Sequence, residues 1–114
     1  MSIAENLAWV RKRTQAACAR SGKNTDDVRL VAVSKTKPAA AIEEAAAAGQ
    51  KIFGESYVQE FLDKEKEVQG SVDWHFVGAL QTNKVKYLVG RIAMIHSVDR
   101  LHLAEEISRQ WGKA

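Results

Sequence analysis

The 114-residue sequence predicts an α/β fold in which an N-terminal helix is followed by four strand–helix units. Short apolar segments recur at intervals of about 20 residues, each followed by a polar junction and a segment of helical pattern. This alternation predicts right-handed crossovers and a parallel sheet, because a helix has to carry the chain back between parallel neighbours. We expect one domain over residues 1–114, with the four units spanning about residues 29–112.

The first segment, about residues 2–21, has the pattern of an amphipathic helix. Its mostly apolar stripe recurs at steps of three and four, at Ile3, Leu7, Val10, Thr14 and Ala17. Ser2 suits the N-cap position, and Gly22 suits a left-handed C-terminal cap. A polar turn at residues 24–27 then leads into the first unit.

The first strand–helix unit has clear boundaries. Leu30–Val33 is a short apolar run rich in β-branched residues, which predicts a strand buried on both faces. Pro38 suits the first turn of a helix, since its missing N–H would have no partner there. The alanine-rich helix should end before Gly49.

The other three units follow the same plan. The predicted strands are 51–54, 73–77 and 92–96, and the helices after them begin at Ser56, near Asn83 and at Asp99. Ser56 and Gln59 fit a capping box for the second of these helices, and Gln81–Asn83 fit a cap for the third. Four such units make either an open sheet or half of an eight-stranded barrel, which typically needs about 250 residues. Because a half barrel has two free edges and an exposed inner face, we expect that two copies pair as a homodimer.

The composition argues against several classes of partner. Net charge is only +3, and runs such as Glu60–Glu67 mix both signs, as on a solvated helix face. The one basic cluster, Arg11–Arg13, does not indicate a nucleic-acid partner. Cys18 is the only cysteine, which excludes an internal disulfide and suits a reducing compartment. With no signal-peptide pattern and no apolar run of about 20 residues, we expect a cytoplasmic protein without a membrane partner.

Lys35 is the main candidate for chemistry, because working residues in parallel α/β folds gather where strands end. Residues alternate faces along a strand, so Val31, Val33 and Lys35 share one side. We expect this apolar row to dehydrate Lys35 partly, and Lys37 to act in the same direction if extended backbone continues through Thr36. Both effects favour the neutral amine that attacks an aldehyde. A surface lysine with a solvated ammonium is the alternative.

The other junctions carry weaker candidates. His75 and His96 are either acid–base groups or hydrogen-bonded core histidines. Glu55 is either catalytic or paired with a lysine, Ser56 is expected to be a helix cap, and Asn83 is a cap or a ligand contact. The sequence contains no local zinc motif, Walker loop or dinucleotide glycine fingerprint.

Four blocks lie at these junctions: VAVSKTKP at 31–38, FGESYVQE at 53–60, WHFVGALQTNK at 74–84 and IHSVDRL at 95–101. Together, in this order and spacing, they resemble the pyridoxal 5′-phosphate (PLP) homeostasis family. The resemblance covers essentially the whole chain but only the N-terminal half of the family. It implies half of a barrel like the N-terminal domain of alanine racemase, with PLP held as a Schiff base on Lys35. It also implies a non-catalytic carrier or regulator of PLP, with Ser56, His75 and Asn83 as further candidate cofactor contacts.

Two departures from the family pattern affect these expectations. Ser56 stands where the family usually has asparagine, and the family's Arg-Ile-Gly-Thr-like phosphate-binding segment has no counterpart here. A phosphate is commonly held by backbone N–H groups at a helix start, so its loss would weaken cofactor retention. The alternatives are a PLP-dependent, racemase-like enzyme and a truncated half barrel that no longer retains PLP.

Overall fold

The computed structural model describes residues 2–114, and in this range the chain forms four α-helices around a four-stranded parallel sheet. The elements are α1 (Ile3–Ser21), β1 (Ala32–Val33), α2 (Ala39–Ala47), β2 (Ile52–Glu55), α3 (Val58–Glu67), β3 (Asp73–Phe76), β4 (Met94–Ile95) and α4 (Leu101–Lys113). Two 3₁₀ helices, Thr25–Asp27 and Thr82–Tyr87, lie between them. The strands follow one another in chain order across the sheet, so the predicted α/β class and parallel sheet are confirmed.

The ends of α1 follow the predicted chemistry. The Ser2 hydroxyl accepts the Glu5 backbone N–H at 3.1 Å, and the Glu5 carboxylate accepts the Ser2 N–H at 3.2 Å. Such a capping box satisfies two backbone donors that the helix leaves without partners. Gly22 closes the helix in the left-handed region, with a φ of 72°. Both predicted caps of the first helix are confirmed.

The core lies between the helices and one face of the sheet. Phe53 of β2 and Trp74 of β3 are partners in the sheet register, and both are buried against the helices. Phe61 of α3 meets the Trp74 ring edge-on, with 5.5 Å between ring centroids. Ile42 of α2 and Leu103 of α4 complete the same apolar cluster. This burial of large side chains holds the helices on the outer face of the sheet.

The opposite face of the sheet, here called the open face, carries the register row Val33, Gly54, His75 and Met94. Val33 is 55% exposed and Met94 is 53% exposed, although both are large apolar residues. The prediction that the first strand is buried on both faces is therefore wrong. The physical reason is that the helices within residues 2–114 pack on the outer face, whereas the apolar run was interpreted as lying between two layers.

Two helix starts and the type of a third helix also differ from the predictions. α3 begins at Val58 after extended Tyr57, without a side-chain cap, so the predicted capping box of Ser56 and Gln59 is wrong. The segment near Asn83 is a 3₁₀ helix, and Gln81 precedes it without a side-chain cap hydrogen bond. α4 begins at Leu101 rather than Asp99.

The chain passes close to Ser56 at the ends of β2 and β3. A Cβ atom placed on Gly78 would lie only 2.4 Å from the backbone oxygen of Ser56. Ser56 lies one residue before Tyr57, which occupies the N-cap position of α3. Tertiary packing thus overrides the local capping signal.

None of the helices within residues 2–114 is long and apolar enough to cross a membrane.

Candidate functional site

The carboxyl ends of the four strands form one edge of the sheet, and the candidate residues are distributed along it. Backbone hydrogen bonds carry the pairing up to this edge: Ser34 N–H donates to Gly54 O at 2.9 Å, and His96 N–H donates to Phe76 O at 2.9 Å. The Ser97 hydroxyl donates to the Gly78 carbonyl across the ends of β4 and β3. The sequence-predicted junctions therefore lie side by side.

Lys35 lies directly after β1, in a tight turn at this edge. The Lys37 N–H donates to the Ser34 carbonyl at 3.1 Å, and Thr36 has a φ of 63°. A β-branched residue in the left-handed region is uncommon, so this turn has to be supported by its surroundings. Because the chain turns at Thr36, the extended backbone on which the expected effect of Lys37 depends is not found.

The Lys35 side chain is exposed. The expected partial dehydration of Lys35 is therefore wrong within residues 2–114. The cause is the same as for Val33, which shares its side of the strand: the open face offers no apolar layer over the end of β1. What the structure provides is an accessible amine at the sheet edge, beside the ends of the neighbouring strands.

Glu55 is completely buried and pairs with a lysine. Its carboxylate lies 3.0 Å from the Lys64 ammonium and accepts the Ser34 hydroxyl. Lys64 also donates to the Ser34 carbonyl oxygen at 2.6 Å. Of the two alternatives for Glu55, the structure supports the lysine pair. It also corrects the prediction for Glu60–Glu67, because Lys64 within that run is buried.

Sequence reasoning did not identify Lys64 and Glu60 as neighbours of the site. Lys64 follows the buried Phe61 by three residues, and Glu60 lies four residues before Lys64. Residues three or four apart share a helix face, so the apolar Phe61 was a usable signal that Lys64 points inward. Glu60 lies 2.7 Å from the Lys64 ammonium and accepts the Thr36 N–H at 2.6 Å.

His75 and His96 form a pair. The His75 Nδ1 and His96 Nε2 atoms lie 2.8 Å apart, within hydrogen-bond distance. Burial lowers the pKa of His75, and the charge of the neighbouring His96 acts in the same direction. Asp73 opposes this effect and Arg29 adds to it. Of the alternatives for His75, the geometry supports a buried, hydrogen-bonded histidine.

Ser56 and Asn83 differ in their surroundings. Ser56 is partly buried at the end of β2, whereas Asn83 is exposed on the 3₁₀ helix. A cavity of about 600 Å³ is bordered by Ser56 together with the polar residues Gln81, Lys84 and Arg100. Lys35 does not line this cavity, so the structure does not bring all the sequence-predicted residues into one pocket.

No cluster of three or more histidine, cysteine, aspartate or glutamate side chains suited to a metal ion occurs within the described part of the chain. Cys18 is a buried free thiol on α1.

Parallel strands with helices on one face, an open inner face and a lysine after the first strand define half of a βα-barrel with an amine at its carboxyl edge. Two curated relatives show which proteins of this class the chain is similar to. The pyridoxal phosphate homeostasis proteins of Aquifex aeolicus and Escherichia coli K12 are 45% and 46% identical to the chain, over 111 and 112 residues. These matches cover 96% and 95% of the chain but 49% and 48% of the relatives. The chain thus spans about half the length of the curated relatives it matches. No family model matches it.

Solved structures show the same relationship. PipY of Synechococcus elongatus PCC7942, solved with PLP bound, superposes with a TM-score of 0.82 and 44% identity, covering 98% of the chain and 49% of PipY. A protein of unknown function from Bifidobacterium adolescentis gives a TM-score of 0.86 at 30% identity, over 95% of the chain and 49% of that protein. The resemblance to half of a PLP homeostasis protein, with half of an alanine-racemase-like barrel, is confirmed.

Proposed function

We propose that the chain binds PLP in a homeostasis role, without catalytic turnover, and that Lys35 holds the cofactor as a Schiff base. The observation that carries this proposal is the position of Lys35: an accessible amine in a tight turn directly after the first strand of a parallel sheet. Relatives at 45% and 46% identity carry the PLP homeostasis name, and PipY was solved with PLP bound.

The chemistry requires a neutral Lys35 amine that reaches the aldehyde of PLP. Lys35 would hold the cofactor by condensation of its amine with the PLP aldehyde, which would release one water. The exposure of Lys35 gives the aldehyde access.

Ser56, His75 and Asn83 are the further candidate cofactor contacts, in that order of preference. Ser56 follows the strand next to that of Lys35 and is the first choice. His75 lies on the open face, in the same register row as Val33. Val33 precedes Lys35 by two residues, so this row lies close to the candidate attachment site. Asn83 is third, because its 3₁₀ helix follows β3 rather than the neighbouring strand.

A half barrel that no longer retains PLP is the second candidate. It is favoured by the exposure of Lys35. The two candidates differ in one measurable property, which is retention of PLP at equilibrium.

The test is the imine absorbance band after addition of PLP, recorded together with equilibrium dialysis. We expect the wild type to develop the band and to retain PLP, and Lys35→Ala to lose both. Lys37→Ala is the matched control, because it removes an exposed lysine two residues away. An equal band in wild type and Lys35→Ala would exclude Lys35 as the attachment site. Undetectable retention by the wild type would establish the second candidate.

A further inference from the structure

We propose that Glu55, Glu60 and Lys64, here called the clamp, position Lys35 by holding the backbone on both sides of it. This inference rests on the proposed role of Lys35 in binding PLP. The clamp residues are positioning residues, since the structure places them against the backbone of Ser34 and Thr36.

The clamp holds the residue before Lys35 through Lys64. The Lys64 ammonium donates to the Ser34 carbonyl oxygen at 2.6 Å, and the Ser34 hydroxyl donates to the Glu55 carboxylate. Ser34 is only 5% exposed, so both contacts lie in a region from which water is largely excluded. Charge-assisted hydrogen bonds of this kind are stronger than neutral ones.

The clamp holds the residue after Lys35 through Glu60. One oxygen of Glu60 accepts the Thr36 N–H at 2.6 Å and lies 2.7 Å from the Lys64 ammonium. Thr36 has the only positive φ of any non-glycine residue within residues 2–114, at 63°. A strained backbone conformation persists where the surrounding structure determines it, and here Glu60 supplies the contact.

Burying these three charged groups costs desolvation free energy, which a contact that merely joined two elements would not require. Two carboxylates share one ammonium, and the Glu55 and Lys64 side chains are 0% and 8% exposed. Buried ion pairs are weak sources of stability, because desolvation offsets most of their attraction. In some proteins such pairs fix geometry, and the contacts made here are to the two residues that flank Lys35.

Glu60 is the best residue to change, because its side chain is 24% exposed and its removal leaves Lys64 paired with Glu55. Glu60→Ala removes the acceptor for the Thr36 N–H. Glu60→Gln keeps an oxygen acceptor and removes the charge. Glu67→Ala is the matched control, as Glu67 is exposed at the end of the same helix.

The first measurement needs no PLP. We expect hydrogen exchange of the Thr36 amide to be slow in wild type, Glu60→Gln and Glu67→Ala, and to be faster by about tenfold or more in Glu60→Ala. Unchanged exchange in Glu60→Ala would overturn the clamp. Far-ultraviolet circular dichroism should show that all four proteins are folded.

The second measurement is the PLP dissociation constant from imine absorbance. We expect it to rise about tenfold or more in Glu60→Ala, because a misplaced reactive group is costly, and to recover in Glu60→Gln. An unchanged constant in Glu60→Ala would overturn the positioning role while leaving the proposed function in place. Absence of the band in the wild type would instead contradict the proposed function. If Glu60→Ala then changed only the hydrogen exchange of Thr36, the clamp would have a structural role alone, and the inference would be overturned as well.

Discussion

The histidine pair shows how burial sets the behaviour of a single side chain. His75 is buried on the open face and contacts His96, whereas a histidine in water titrates near pH 6.5. Burial and the nearby His96 lower the pKa of His75, so the folded chain binds this proton only at a lower pH than the unfolded chain does.

The stability of the chain should therefore decrease in mild acid. Above about pH 6.5 neither state holds the His75 proton, and the full stability is present. As the pH falls below this value the unfolded chain binds the proton first, which favours unfolding. We expect the urea midpoint to decrease from about pH 7.5 to about pH 5.5.

Two variants isolate the contribution of His75. In His75→Gln the decrease should be smaller, since the buried titrating group is gone. In His102→Gln, which changes an exposed histidine on α4, it should match the wild type. If His75→Gln and wild type gave parallel pH profiles, the assignment of the acid sensitivity to His75 would be wrong.

The candidate residues differ in how much of their setting the sequence could predict. Lys35 at the end of the first strand follows from the apolar run before it and is found there. Its hydration could not be predicted in this way, because it depends on which layer covers the open face. Lys64 was missed since a charged run is usually solvated, and only its spacing from Phe61 indicated burial.

At the scale of elements, the close approach of β2 and β3 at their carboxyl ends requires a glycine. The nearest atom to a Cβ on Gly78 would be the Ser56 backbone oxygen, which cannot move away as a flexible side chain can. We expect Gly78→Ala to lower the free energy of unfolding by about 1–3 kcal/mol, as overpacking does. Urea denaturation measures this change.

A second glycine provides the control for this prediction. Gly112 lies within α4, and a Cβ placed there meets no atom within 4 Å. Gly112→Ala should therefore stabilise the chain, by up to about 1 kcal/mol, through improved helix propensity. Equal effects of the two substitutions would show that the contact with Ser56 is not the cause.

Element identities were easier to predict than element starts. The first helix and its caps were predicted from Ser2 and Gly22, because these signals act within a few residues. The prediction for the start of α3 is wrong, because Ser56 lies against Gly78 and Tyr57 takes the N-cap position. A capping box is a local preference of about 1 kcal/mol, which a tertiary contact can outweigh.

At the scale of the whole molecule, the open face and the two edge strands remain to be covered. Val33 on β1 and Met94 on β4 are both more than half exposed, and these strands form the two edges of the sheet. A second copy would supply four more parallel strands, and eight is the number that closes a barrel of this kind. Exposed apolar faces and free edges favour such association.

We therefore expect the chain to form a homodimer at micromolar concentration, measured by size-exclusion chromatography with light scattering. Met94→Asp, which places a charge on the open face, should shift the protein towards the monomer without disturbing the buried outer core. A stable, folded wild-type monomer at micromolar concentration would refute the dimer.

The alternation of apolar runs and helical segments determined the fold class by itself, because period and length of these segments depend only on local geometry. The same holds for the order of the units and for the placement of Lys35 after the first strand. Tertiary structure alone decided that Lys35 is exposed, that Glu55 pairs with Lys64, and that Glu60 holds Thr36. These properties depend on which surfaces meet in space, and residues as far apart as Thr36 and Glu60 come together only when β1, β2 and α3 have packed.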